Sequence, residues 1–83
     1  MSMDLSILLG LYDEKALSHD WPQDVDSRRE KLNEEFDEYS WAIGTEGECE
    51  ELADTLICTI QLLRAHGVVD PLDFCYRKLA GGK

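Results

Sequence analysis

Two short acidic runs, Glu34-Glu35-x-x-Glu38 in NEEFDEY and Glu51-x-x-Asp54 in EELADTL, hold the residues of this sequence best suited to chemistry. On a helix, residues three apart share a face and lie about 5 to 6 Å apart at Cβ, so each run sets like charges side by side where they repel. Asp54 stands among Leu52, Ala53, Leu56, Ile57, Ile60 and Leu63, a helix surface with little polar area, where an ionised carboxylate is costly to desolvate. Along the face that begins at Glu51 come Cys58 and Leu62, so the acidic pair opens a face that is expected to continue into the core. An Arg partner, Arg28 or Arg29, could offset one carboxylate, but four converging carboxylates need a stronger charge. All-oxygen donors without His or Cys select a hard divalent cation, Mg²⁺ or Mn²⁺. The competing reading is a solvated acidic face, which chance readily supplies in a chain with 18 Asp and Glu.

Other metal chemistries fail on spacing. A di-iron bundle needs a His three residues after a Glu, and neither His19 nor His66 has one. DVDSRREKLNEE lacks the central Gly of a calcium-binding loop. There is no CxxC for zinc, and Cys49, Cys58 and Cys75 are odd in number and far apart. These three thiols are expected to be reduced and buried among apolar residues.

Four helices are expected to position the carboxylates, and strand signals are weak throughout. The first spans about Met3 to Leu17, with Leu5, Leu8, Leu9, Tyr12 and Ala16 at helical spacing, and ends in the polar turn SHDWPQD. The second runs from about Asp24 to Ile43 on the stripe Leu32, Phe36, Tyr39, Ile43 and stops at Gly44. Thr45 and Glu48 have the spacing of a capping box that opens the third helix, which ends at Gly67. Asp70-Pro71, with Asp73 in the first turn, opens a fourth that reaches about Ala80, followed by a frayed GGK tail. Short connections make this an all-α antiparallel bundle, one domain over residues 1–83.

At 83 residues such a bundle has a small core, so oligomerisation is expected to complete it. A net charge of −10 repels nucleic-acid polymers, though not a nucleotide held through metal ions. Asp4 stands where a signal peptide wants positive charge, and no stretch reaches the roughly 20 apolar residues of a membrane span. A cytoplasmic location follows as an expectation.

The runs KLNEEFDEYSWAI and EELADTLICTIQLLRAHGVVDPLDFCYRKL resemble the MazG-like all-α nucleoside triphosphate pyrophosphohydrolases. The signature is EExxE, here followed by a spacer of twelve residues, then ExxD, and the likeness extends from about Trp21 to Leu79. It implies Mg²⁺ held by Glu35, Glu38, Glu51 and Asp54, with Glu34 as a further ligand or a base. It also implies attack of a metal-polarised water on a nucleoside triphosphate, giving the monophosphate and pyrophosphate, in a dimer or tetramer whose sites draw on two subunits. Lys78 matches a phosphate-contacting Lys of the family; a cation that complements a helix C-terminus explains it equally well. Many members continue into an Asn and an Arg-Tyr-Pro segment, where this sequence has Ala80-Gly81-Gly82-Lys83, so closure over substrate is expected from another subunit, from the N-terminal segment, or not at all. Among Trp21, Phe36, Tyr39 and Trp41, the loop residue Trp21 is the best placed for a base contact. His19 and His66 are read as a surface residue and a helix-end residue. The alternative from another class is a non-catalytic acidic helical module of the same fold that binds a basic protein surface.

Overall fold

The computed structural model describes residues 4–81 as four α-helices in chain order: α1 Leu5–Ser18, α2 Val25–Ala42, α3 Glu48–Ala65 and α4 Pro71–Ala80. The expected start at Met3 and the tail residues Gly82 and Lys83 lie outside the described residues. Aspartates cap three N-termini: Asp4 accepts from the Ser6 N–H at 3.2 Å, Asp24 from Ser27 at 3.1 Å and Asp70 from Asp73 at 3.0 Å. At the end of α3, Gly67 (φ +95°) closes a Schellman pair, with its N–H on Arg64 O and that of Val68 on Leu63 O. The end of α1 has the same pair, Asp20 N–H to Leu17 O and Trp21 N–H to Ala16 O, with Asp20 rather than Gly at positive φ (55°).

The turn from α2 to α3 differs from expectation. Gly44 (φ +80°) sits at the third position of a turn closed by Thr45 N–H on Ala42 O, a geometry that favours glycine. The Glu48 carboxylate accepts from the Gly44 N–H at 2.8 Å, and the Thr45 hydroxyl donates to Ala42 O and accepts from the Gly47 N–H. The reciprocal capping box therefore does not form. Both side chains serve the turn, and Gly47 is the N-cap of α3 without a side-chain bond.

The hairpin of α2 and α3 is the main packed unit. Its antiparallel register puts Glu38 beside Glu51 and Glu35 beside Thr55, whose buried hydroxyl donates to Glu51 O at 2.9 Å and lies 3.5 Å from Glu35 O. Arg64 fastens α1 to α3 through two bonds to Asp13, at 2.9 and 3.0 Å. The centre is unusually polar: Arg28, Glu35, Thr55 and Gln61 are buried, against Ala16, Ile60 and Pro71 among small or apolar residues. Along the expected stripe of α2, Leu32 and Tyr39 are half-buried, whereas Phe36 and Ile43 are exposed. The thiols are free, but only Cys58 is half-buried, against the expectation of three buried thiols: Cys49 and Cys75 are exposed. No helix among the described residues is long and apolar enough to cross a membrane.

Candidate active site

The hairpin register brings three carboxylates together. Glu35, Glu38 and Glu51 each present an oxygen, and these lie within 4.8 Å of one another. Glu35 is only 6% exposed. Lys31, one turn earlier on α2, lies 3.2 Å from Glu35 Oε1 and 3.6 Å from Glu34 Oε2. Its pairing with Glu35 raises the Lys31 pKa. That ammonium satisfies one side of the cluster and leaves the other: Glu35 Oε2 and Glu51 Oε2 are buried with no hydrogen-bond partner. Two buried carboxylate oxygens without donors, converging with a third carboxylate, suit a divalent cation with oxygen ligands.

Asp54 lies outside this triad. It is exposed, because Leu52, Ala53 and Leu56 around it are exposed too, and neither arginine considered for it pairs with it. Arg29 bonds Asp26 at 3.1 Å and Arg28 donates to the Tyr12 hydroxyl. Asp54 instead lines a cleft of about 700 Å³ between α1, α2 and α3, together with Glu34 and Glu35. Apolar groups from Leu8, Leu11, Pro22 and Ile57 form much of its wall. Trp21 is at its margin, stacked on His19 with centroids 5.4 Å apart and tilted against Tyr12 at 5.7 Å. Cys58 also faces it, with burial pushing its thiol pKa up, away from nucleophilic reactivity. Lys78 is exposed on α4 and does not line the cleft. His66 caps α3 through its backbone N–H, a helix-end role as expected.

Three contributors escaped the sequence reading. Tyr12 was read only as part of the apolar stripe of the first helix, and Lys31 and Thr55 were not singled out at all. The one available signal was spacing: Arg28, Lys31, Glu35 and Glu38 repeat at i, i+3, i+7 and i+10, a single face of α2.

With this geometry in view, the comparison with known families is decisive: the family model for phosphoribosyl-ATP pyrophosphohydrolase matches residues 9–81. The chain belongs to that family. Phosphoribosyl-ATP pyrophosphohydrolases are all-α enzymes related to the MazG-like folds, so the MazG-like resemblance found a neighbour rather than the family itself. The family match supports a hydrolase of pyrophosphohydrolase type acting on a nucleotide-like substrate. No curated protein and no solved structure matches the chain.

Proposed function

We propose that the protein is a divalent-metal-dependent pyrophosphohydrolase that cleaves the α–β phosphoanhydride of a nucleotide carrying a triphosphate, yielding the monophosphate form and pyrophosphate. The observation that carries this reading is the convergence of Glu35, Glu38 and Glu51 with two buried, donorless carboxylate oxygens, in a chain of a pyrophosphohydrolase family. These three residues would hold Mg²⁺, or Mn²⁺ in its place, with Asp54 adding an oxygen from the cleft side and Glu34 available as a base. The ion, when bound, supplies charge to the phosphoryl oxygens and lowers the pKa of water near them. In the reaction a water oxygen bonds to the α phosphorus while the bond from that phosphorus to the bridging oxygen breaks. The electron pair leaves on pyrophosphate, and the proton lost by water passes to a carboxylate, with Glu34, which lines the cleft outside the cluster, available to take it.

The cleft accommodates the rest of such a substrate, since about 700 Å³ lies within the usual size of a small-molecule site and its wall is mostly apolar. Trp21 offers a stacking face at its margin. Lys78 would reach phosphate only in an assembly, from a neighbouring copy. Fourteen large hydrophobic side chains among the described residues are exposed in the single chain, which supports a homodimer or homotetramer as the working form.

The test is direct. The protein is incubated with the eight common ribo- and deoxynucleoside triphosphates and with phosphoribosyl-ATP, each with Mg²⁺, and monophosphate and pyrophosphate products are measured. Release of both products from at least one substrate, abolished in Glu38→Gln, is the expected result. Absence of product from all nine would favour the non-catalytic module.

A further inference from the structure

The cleft wall contains a buried cation that has no ion-pair partner among the described residues. Arg28 is 7% exposed and lines the cleft wall. Its guanidinium donates to the neutral Tyr12 hydroxyl and lies 5.9 Å from that ring's centroid, while its Nε has no partner. No carboxylate among the described residues is within ion-pair distance of it. A guanidinium held away from water without a counter-charge is strongly unfavourable, and such groups in native proteins are paired or face a ligand. Glu35 is no substitute, because it lies two turns further along α2 and is engaged by Lys31 at 3.2 Å.

We propose that Arg28, assisted by Lys31, seats the terminal phosphates of the substrate, the part that leaves as pyrophosphate. The inference rests on the hydrolase reading above. Along one face of α2 the order is Arg28, Lys31, Glu35, Glu38, with Arg28 and Glu35 separated by about 10.5 Å of helix rise. A triphosphate laid along that face has its scissile end at the carboxylates and its free end at the cations. The planar fork of an arginine grips phosphate oxygens in pairs, and Arg28 is pre-positioned by Tyr12, so little freedom is lost on binding. The charge carried by the departing pyrophosphate is then met at its far end by a cation already in place.

Arg28→Met keeps much of the side-chain volume and removes the charge. Calorimetric titration of the full chain in Mg²⁺ should show inorganic pyrophosphate binding weakened about tenfold or more, a loss typical of a charged hydrogen bond. Adenosine monophosphate and Mn²⁺ should bind within about twofold of wild type. The ligand-free melting midpoint should hold or rise, since an unpaired buried charge has gone. Arg28→Lys should recover part of the pyrophosphate affinity, and it carries the same test if Arg28→Met does not fold. Unchanged pyrophosphate affinity in the variant overturns the proposal, as does an equal loss for adenosine monophosphate, or a fall in melting midpoint accompanied by lost Mn²⁺ binding. The two readings fail separately: if no triphosphate is hydrolysed, Arg28-dependent pyrophosphate binding still stands, whereas hydrolysis with a variant that binds pyrophosphate normally removes only this inference.

Discussion

At the scale of single residues, the cluster makes an unequal forecast for its carboxylates. Glu38 and Glu51 are in the triad and Asp54 is at the cleft edge, so Glu38→Gln should abolish the rise in melting midpoint that Mn²⁺ produces, whereas Asp54→Asn should leave part of it. Activity should fall by roughly a hundredfold or more in Glu38→Gln, with helical circular dichroism unchanged. Equal metal-induced shifts in both variants would show that the triad is not the binding unit. Glu35, Glu38 and Glu51, which the hairpin brings together, could be singled out from their types and spacing alone. Tyr12 and Thr55 could not, because their roles depend on what α2 and the hairpin place against them, and no local pattern encodes that. Asp54 marks the opposite limit: an apolar neighbourhood in sequence signals burial only if another element covers it.

At the scale of elements, α1 is the weakly held piece, and its attachments define two further forecasts. The Arg64 guanidinium beside Asp13 holds that carboxyl below its ordinary value, so the pair stabilises the fold above about pH 4 and is progressively lost as pH falls through the lowered native value. Asp13 is more than half exposed, so the contribution is roughly 0.5 to 1 kcal/mol after screening. Acid titration followed by Trp21 fluorescence, which reports contact with Tyr12, should show α1 loosening with a midpoint that Asp13→Asn removes. The other forecast concerns the end of the same helix. Asp20 takes a positive φ where glycine has no steric cost, so Asp20→Gly should stabilise the fold by about 0.5 to 1 kcal/mol, and Asp20→Ala should destabilise it, in urea melts. Helix limits were readable to within a few residues because Asp and Gly mark them chemically. The turn at Thr45–Glu48 was misread because the same two side chains can bond either into the helix or back to Gly44 and Ala42, and the sequence does not rank those options.

At the scale of the whole molecule, the chain is more open than a compact monomer of its length. Its radius of gyration is 13.9 Å, against about 12 Å for a compact domain of this length. Its accessible surface is 6376 Å², against roughly 5,000 Å² for a compact monomer of this size. The excess is apolar and organised. On α4, Leu72, Tyr76 and Leu79 repeat along one face and all are exposed, Leu79 by 78%, and on α3 Leu52 and Leu56 stand one turn apart in the same condition. An apolar face at helical spacing with nothing against it in the single chain is what a subunit contact leaves when its partner is removed. If copies of this chain cover those faces, the melting midpoint must rise with protein concentration, because only the folded state associates. Sedimentation equilibrium should then report a dimer or tetramer. Leu79→Glu, which places a charge on the exposed α4 face, should shift it toward monomer and flatten the concentration dependence. A wild-type midpoint independent of concentration, together with a monomeric mass, would mean that the open hairpin is stable alone and that the exposed faces have another use.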